Sequence, residues 1–98
     1  MANWKNAERQ VAKVIGGKRH SRGANFGEEA PDIIMPKDSL FVYEVKYRKK
    51  ISNFLKDGLL QAKRYAKDNQ VPVLVLKERY MHGALVVLNL RDWKDLHG

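Results

Sequence analysis

Asp32, Glu44 and Lys46 are three ionisable side chains set in two runs that otherwise read as strands. Asp32 opens the apolar run Ile33-Ile34-Met35. The second run alternates, with Phe41, Tyr43, Val45 and Tyr47 on one face and Val42, Glu44, Lys46 and Arg48 on the other. The link Pro36-Lys37-Asp38-Ser39 has the residue types of a tight turn. A hairpin over these runs sets Asp32 across from Glu44, with Lys46 beside Glu44 on the same face. Two carboxylates brought close repel unless one is protonated or a cation sits between them. Oxygen ligands without thiolates or clustered histidines favour a hard dication, Mg²⁺ with Mn²⁺ as its substitute. The Val45 carbonyl could add an oxygen. A lysine at such a site orients a water for attack or offsets charge developing on phosphorus.

The elements that must hold these residues follow from periodicity. Residues 4–15 carry a helical stripe of Trp4, Ala7, Val11, Val14 and Ile15, ended by Gly16-Gly17. Glu8 lies inside that stripe. A lone buried carboxylate is costly, so a metal, a lysine or a cleft edge must compensate it. Residues 18–22 read as a short strand and 23–29 as a Gly-containing loop. Strands are expected at about 31–35 and 40–48. A second helix is expected over 52–68, capped by Ser52 or Asn53, with Phe54, Leu55, Leu59, Ala62, Tyr65 and Ala66 as its apolar stripe and Gln61 on the flank. Lys56, Lys63, Arg64 and Lys67 occupy the opposite face, and Leu60 is stranded among them. Residues 71–76 read as a strand buried on both faces after a parallel crossover. A last strand, 84–90, is its hairpin partner beyond a turn at 80–83. The tail from Arg91 forms one helical turn, with Trp93 and Leu96 docked on the core or on a second subunit. The expected fold is α/β, a single mixed β-sheet with flanking helices in the order α-β-β-β-α-β-β, in one domain.

Composition narrows the partners. The 98 residues carry 19 Lys and Arg against 11 Asp and Glu, a net charge of +8. Such a surplus on a short chain points to a polyanion, nucleic acid in preference to a membrane surface. No stretch approaches the ~20 apolar residues of a membrane span, and the first residues lack a signal-peptide apolar segment. Cysteine is absent, which excludes disulfides and thiolate zinc sites. An intracellular, cytoplasmic setting is the natural expectation. His20, His82 and His97 are scattered and are expected on the surface or in loops.

An N-terminal helix with a glutamate, a hairpin bearing Pro31-Asp32 and Glu44-Val45-Lys46, and a helix with Gln61 together resemble the core of the PD-(D/E)XK nuclease superfamily. Within it the chain is most similar to the small archaeal-type and phage Holliday-junction resolvases. The resemblance covers Glu8 to about Leu76. It implies that Asp32 and Glu44 hold the metal, that Glu8 is a direct or water-mediated ligand, that Lys46 is the catalytic lysine, and that Gln61 hydrogen-bonds the lysine, the water or the phosphate. Ser21 is the candidate for the serine that the resolvases carry between helix one and the hairpin. Mg²⁺ dependence and a homodimer are also implied.

The expected activity is therefore Mg²⁺-dependent hydrolysis of DNA phosphodiesters at branched duplexes. Lys18, Arg19, Arg22, Arg48, Lys49 and Lys50 flank the acids in sequence and would grip phosphates, largely without regard to base sequence. A branched substrate calls for two sites at fixed spacing, which a symmetric dimer supplies. Two other readings stay open. One is a nicking, repair or restriction-like nuclease of the same chemistry. The other is a DNA-binding module whose acids and lysine form a structural cluster.

Overall fold

The structure is a computed structural model that describes residues 4–20 and 31–97. The chain divides into two compact units, Met1–Lys49 and Lys50–Gly98. Among the described residues the protein is α/β, with three helices and two small antiparallel sheets of two strands each.

The first unit begins with α1, Trp4–Ile15. Its bounds are those the apolar period dictates, and Gly16 takes the left-handed conformation (φ +79°) that ends a helix at little cost for glycine. Glu8, Ala12 and Ile15 form its buried face, while Trp4 at the edge of the stripe stays 43% exposed. Two short strands follow, β1 (Lys18–Arg19) and β2 (Ile33–Ile34), paired antiparallel with Lys18 opposite Ile34 and Arg19 opposite Ile33. Helix α1 packs against β1. Ile33 is almost fully buried, and with Ala12 and Ile15 it makes the small core of this unit. Gly17 is where the close approach is tightest. A Cβ there would lie 2.6 Å from Ile33 Cγ2, 2.7 Å from Met35 Sδ and 2.9 Å from the Ile34 carbonyl oxygen.

The turn at Pro36–Ser39 forms as its composition dictates. The Ser39 N–H donates to the Pro36 carbonyl at 3.0 Å, and the Phe41 N–H donates to Ser39 Oγ at 3.2 Å. Beyond it, residues 40–48 do not make the expected strand. A single antiparallel bridge joins Tyr43 to Ile33. The alternation holds as burial up to residue 46: Phe41, Tyr43 and Val45 are half-buried and Val42, Glu44 and Lys46 exposed, but Tyr47, expected on the inner face, is 47% exposed. The phenyl and phenol rings of Phe41 and Tyr43 lie 6.3 Å apart on the inner face. His20, expected on the surface or in a loop, follows the last residue of β1 and is buried.

The second unit contains α2, Asn53–Tyr65, β3, Leu74–Leu76, β4, Leu85–Val87, and α3, Leu90–His97. Ser52 caps α2, its Oγ accepting from the Phe54 N–H at 3.2 Å. The expected stripe holds at Leu55, Leu59, Ala62 and Ala66, which are half-buried, but not at Phe54 and Tyr65, which are 72% and 78% exposed. Gly58 is half-buried beside them and lets α2 close on β3 to where a Cβ would meet Leu74 Cδ1 at 2.9 Å.

Strand β3 pairs antiparallel with β4, in the register Leu74 to Val87, Val75 to Val86 and Leu76 to Leu85. The expected hairpin is present, but β3 is not buried on both faces, since Val75 is 61% exposed. Between the strands, Lys77 Nζ donates to the carbonyls of Met81 at 2.6 Å and Gly83 at 3.0 Å, and Tyr80 adopts a positive φ of 66°. The tail forms α3 rather than a single turn, capped by Asn89 Oδ1, which accepts from the Arg91 N–H at 2.9 Å. Trp93 is half-buried, its ring 3.8 Å from that of His97, and Leu96 is 59% exposed.

The observed order among the described residues is thus α-β-β-α-β-β-α, with no single sheet and no parallel strand pair. The physical reason is that 40–48 contributes one bridge instead of a ladder, and that β3 takes its hydrogen bonds from β4. No helix among the described residues is long and apolar enough to cross a membrane.

Candidate functional site

Three chain segments of the first unit lie side by side, with β2 in the middle. Ile33 faces Arg19 of β1 on one edge and Tyr43 on the other. The bridge from Ile33 to Tyr43 is antiparallel, so its register sets residue 32 opposite residue 44. The ladder extends past β1, where the His20 N–H donates to the Asp32 carbonyl at 2.9 Å.

Asp32 is buried, and its Oδ2 accepts from the Val45 N–H at 2.8 Å. This contact ties the 41–47 segment to β2 in place of a full strand ladder. Burying a carboxylate is tolerable only with such a donor. Glu44 and Lys46 are quite different. They are exposed and pair with each other, Lys46 Nζ lying 3.4 Å from Glu44 Oε2, with side chains 82% and 58% exposed respectively. An ion pair this open is worth at most about 1 kcal/mol and is readily exchanged for another partner.

Glu8 is buried, as its place in the apolar stripe requires, and its compensation comes from an arginine. Arg19 Nε lies 3.0 Å from Glu8 Oε2, with the side chains 18% and 4% exposed. The same guanidinium stands over the Trp4 ring, 5.5 Å from its centroid. Arg19 is therefore an internal counterion that locks α1 to β1. This corrects its expected place among the phosphate-gripping residues. The sequence signal was available: a buried acid on a helix, then two glycines, then a strand whose second residue is an arginine.

Lys18 points the other way along β1 and is exposed, as are Arg48 and Lys49 at the end of this unit. Lys50 opens the second unit and is exposed, and Gln61 is exposed on α2 of that unit. Ser21 and Arg22 lie outside the described residues, as does the loop expected at 23–29.

The donor set decides what metal chemistry fits. Among the described residues no group of three or more acid or histidine side chains is placed to hold a metal ion. The Glu8 carboxylate pairs with Arg19, while Asp32 accepts from the Val45 N–H. Asp32 and Glu44, opposed in register, do fit the sparser mode of Mg²⁺, which takes one or two carboxylates and keeps water or phosphate oxygens elsewhere. The Val45 carbonyl lies on the same segment, next to the N–H that holds Asp32. The chain matches no family model, no curated protein and no solved structure.

Proposed function

We propose that the chain is a Mg²⁺-dependent DNA endonuclease of the PD-(D/E)XK type, acting on branched duplexes as a Holliday-junction resolvase does. The observation that carries this reading is the register of the bridge between Ile33 and Tyr43, which opposes Asp32 to Glu44, with Lys46 ion-paired to Glu44. The fold of that superfamily, with its single mixed sheet, belongs to the same proposal.

In this reading Asp32 and Glu44 hold Mg²⁺, with the Val45 carbonyl as a further oxygen. The ion, when bound, neutralises phosphate charge and makes a water more acidic. Asp32 is the fixed ligand, because the Val45 N–H orients its carboxylate. Glu44 would be the second carboxylate ligand, since its pair with Lys46 is open to water, and Lys46 would orient the attacking water and offset charge on the phosphate. Lys18, Arg48 and Lys49 hold the flanking phosphates, and each such contact steepens the salt dependence of binding. No role here requires Glu8 or Gln61. Cleavage on two strands of a junction requires a second copy of the chain, so the proposal includes a symmetric homodimer.

A second reading, a DNA-binding module without catalysis, draws support from the Glu8–Arg19 pair. That pair makes one of the expected catalytic acids a structural element. A four-way junction and a linear duplex of the same sequence, each incubated with the protein and Mg²⁺, separate the possibilities. Paired symmetric nicks across the junction support the resolvase reading. Equal cutting of the linear duplex moves the assignment to another nuclease of the same chemistry. Retarded mobility with no cutting of either establishes the binding module.

A further inference from the structure

The second unit contains a groove that the proposed nuclease site does not use. Its volume is about 650 Å³. Leu59, Leu60, Ala66 and Pro72 give it an apolar floor. Lys56 and Lys63 of α2, Lys67 of the following turn and Arg91 of α3 stand round it, against the two carboxylates Asp68 and Asp92. Lys56, Leu60 and Lys63 fall at the spacing i, i+4 and i+7, on one face of α2. All four cations are exposed, and none forms an ion pair among the described residues.

Leu60 is the informative residue. It is 47% exposed in the middle of a basic helix face. A polyphosphate backbone draws nothing from a leucine, and no aromatic side chain lines the groove to stack on a base. An apolar floor inside a cationic rim is complementary to a ligand with the reverse pattern. The volume lies in the ~300–1,000 Å³ range of sites that seat a few side chains rather than a whole element.

We infer that this groove docks an acidic peptide segment of a partner protein, whose apolar side chains sit on Leu59, Leu60 and Pro72 and whose carboxylates meet Lys56, Lys63, Lys67 and Arg91. The apolar anchors set affinity, and the charges set orientation and association rate. The site is independent of the nuclease reading, because it uses none of that reading's residues.

The test uses the full chain and two short fluorescein-labelled peptides, read by fluorescence anisotropy. Both are rich in Asp and Glu. One has two leucines a helical turn apart, and the other has serines in their place. The leucine peptide is expected to bind about tenfold more tightly or better, the effect of burying one or two such side chains. Leu60→Ser is expected to erase that preference, Leu60→Met to keep it, and Lys63→Glu to weaken both peptides. Leu60 and Lys63 are exposed, so these variants keep the wild-type urea midpoint. Equal binding of the two peptides, or a leucine preference that survives Leu60→Ser, overturns the inference. So does a groove that binds duplex DNA in a Lys63-dependent way while ignoring the leucines, which makes it a nucleic-acid track. Asp32→Asn, which removes the proposed metal ligand, is expected to leave peptide binding unchanged, so this inference and the nuclease reading fail separately.

Discussion

Replacing Arg19 by alanine tests how the first unit is held together and, through it, what Glu8 does. Arg19 Nε is 3.0 Å from a carboxylate whose side chain is only 4% exposed. Removing one partner of a buried pair leaves an uncompensated charge and costs about 3–5 kcal/mol. The guanidinium is itself 18% exposed, so water follows it into the gap and the lower end applies, about 3 kcal/mol. Loss of the contact with Trp4 adds about 0.5 kcal/mol, as expected for a ring that is itself half in water. With a urea m-value near 1.5 kcal/mol per molar, the unfolding midpoint falls by about 2 M. Glu8→Gln keeps the shape and one acceptor, and costs about 1 kcal/mol.

The double variant is the sharper measurement. With both charges gone no carboxylate is stranded, so Arg19→Ala combined with Glu8→Gln is less damaged than the two losses summed, by about 1–3 kcal/mol. Urea unfolding followed by far-UV circular dichroism gives all four values. Trp4 fluorescence in a Trp93→Phe background reports the same event beside the pair. An Arg19→Ala variant within about 0.5 kcal/mol of wild type, or strict additivity in the cycle, refutes the account of Glu8 as a structural acid. Cleavage supplies the functional counterpart: Glu8→Gln keeps activity if Glu8 serves the fold, and loses it if Glu8 binds the metal.

Asp32→Ala strands the Val45 N–H and is expected to cost about 1–3 kcal/mol, whereas Asp32→Asn keeps an acceptor there and costs under about 1 kcal/mol; both are expected to abolish Mg²⁺-dependent cleavage, so Asn separates chemistry from stability in paired melting and nicking assays. Glu44→Ala and Lys46→Ala break only an exposed pair, so their urea midpoints stay within about 0.5 kcal/mol of wild type while cleavage is lost. Gly17→Ala drives a Cβ against the Ile34 carbonyl and the Ile33 side chain and is expected to cost about 1–3 kcal/mol in the same unfolding assay, a loss that a wild-type midpoint would contradict. At tenfold its dissociation constant, Mg²⁺ is expected to add about 1.4 kcal/mol to wild type and to Glu8→Gln, and nothing to Asp32→Asn.

The elements legible in the sequence are those fixed by short-range chemistry. Helix α1 is read to its last residue because its apolar period runs into Gly16 and Gly17. The turn at Pro36–Ser39 and the cap at Ser52 follow from side chains that bond their own backbone. The opposition of Asp32 and Glu44 was legible because turn length fixes register. Tertiary competition was not. The alternation gives the inner face at Phe41, Tyr43 and Val45 but fails at Tyr47, and it does not say whether a neighbouring backbone offers a ladder; here the Asp32 carboxylate takes the Val45 N–H. The α2 stripe is right at Leu55, Leu59, Ala62 and Ala66 and wrong at Phe54 and Tyr65, because hydropathy gives no weight to Gly58, where the helix closes on Leu74. The burial of His20 was not legible, because it depends on neighbours that its own position does not reveal.

Glu8, Asp32 and Glu44 differ in what holds them. Glu8 is held by a guanidinium inside the core, so any other cation must first displace a charge that cannot leave without stranding itself or its partner. Asp32 accepts from the Val45 backbone N–H, which orients the carboxylate. Glu44 is held by a lysine that is itself mostly in water, and exchanging that lysine for a dication gains charge density at little cost. In the proposed nuclease reading Asp32 is the oriented acid and Glu44 the exchangeable one, so a dication would compete with Lys46 for Glu44 and not with Arg19 for Glu8.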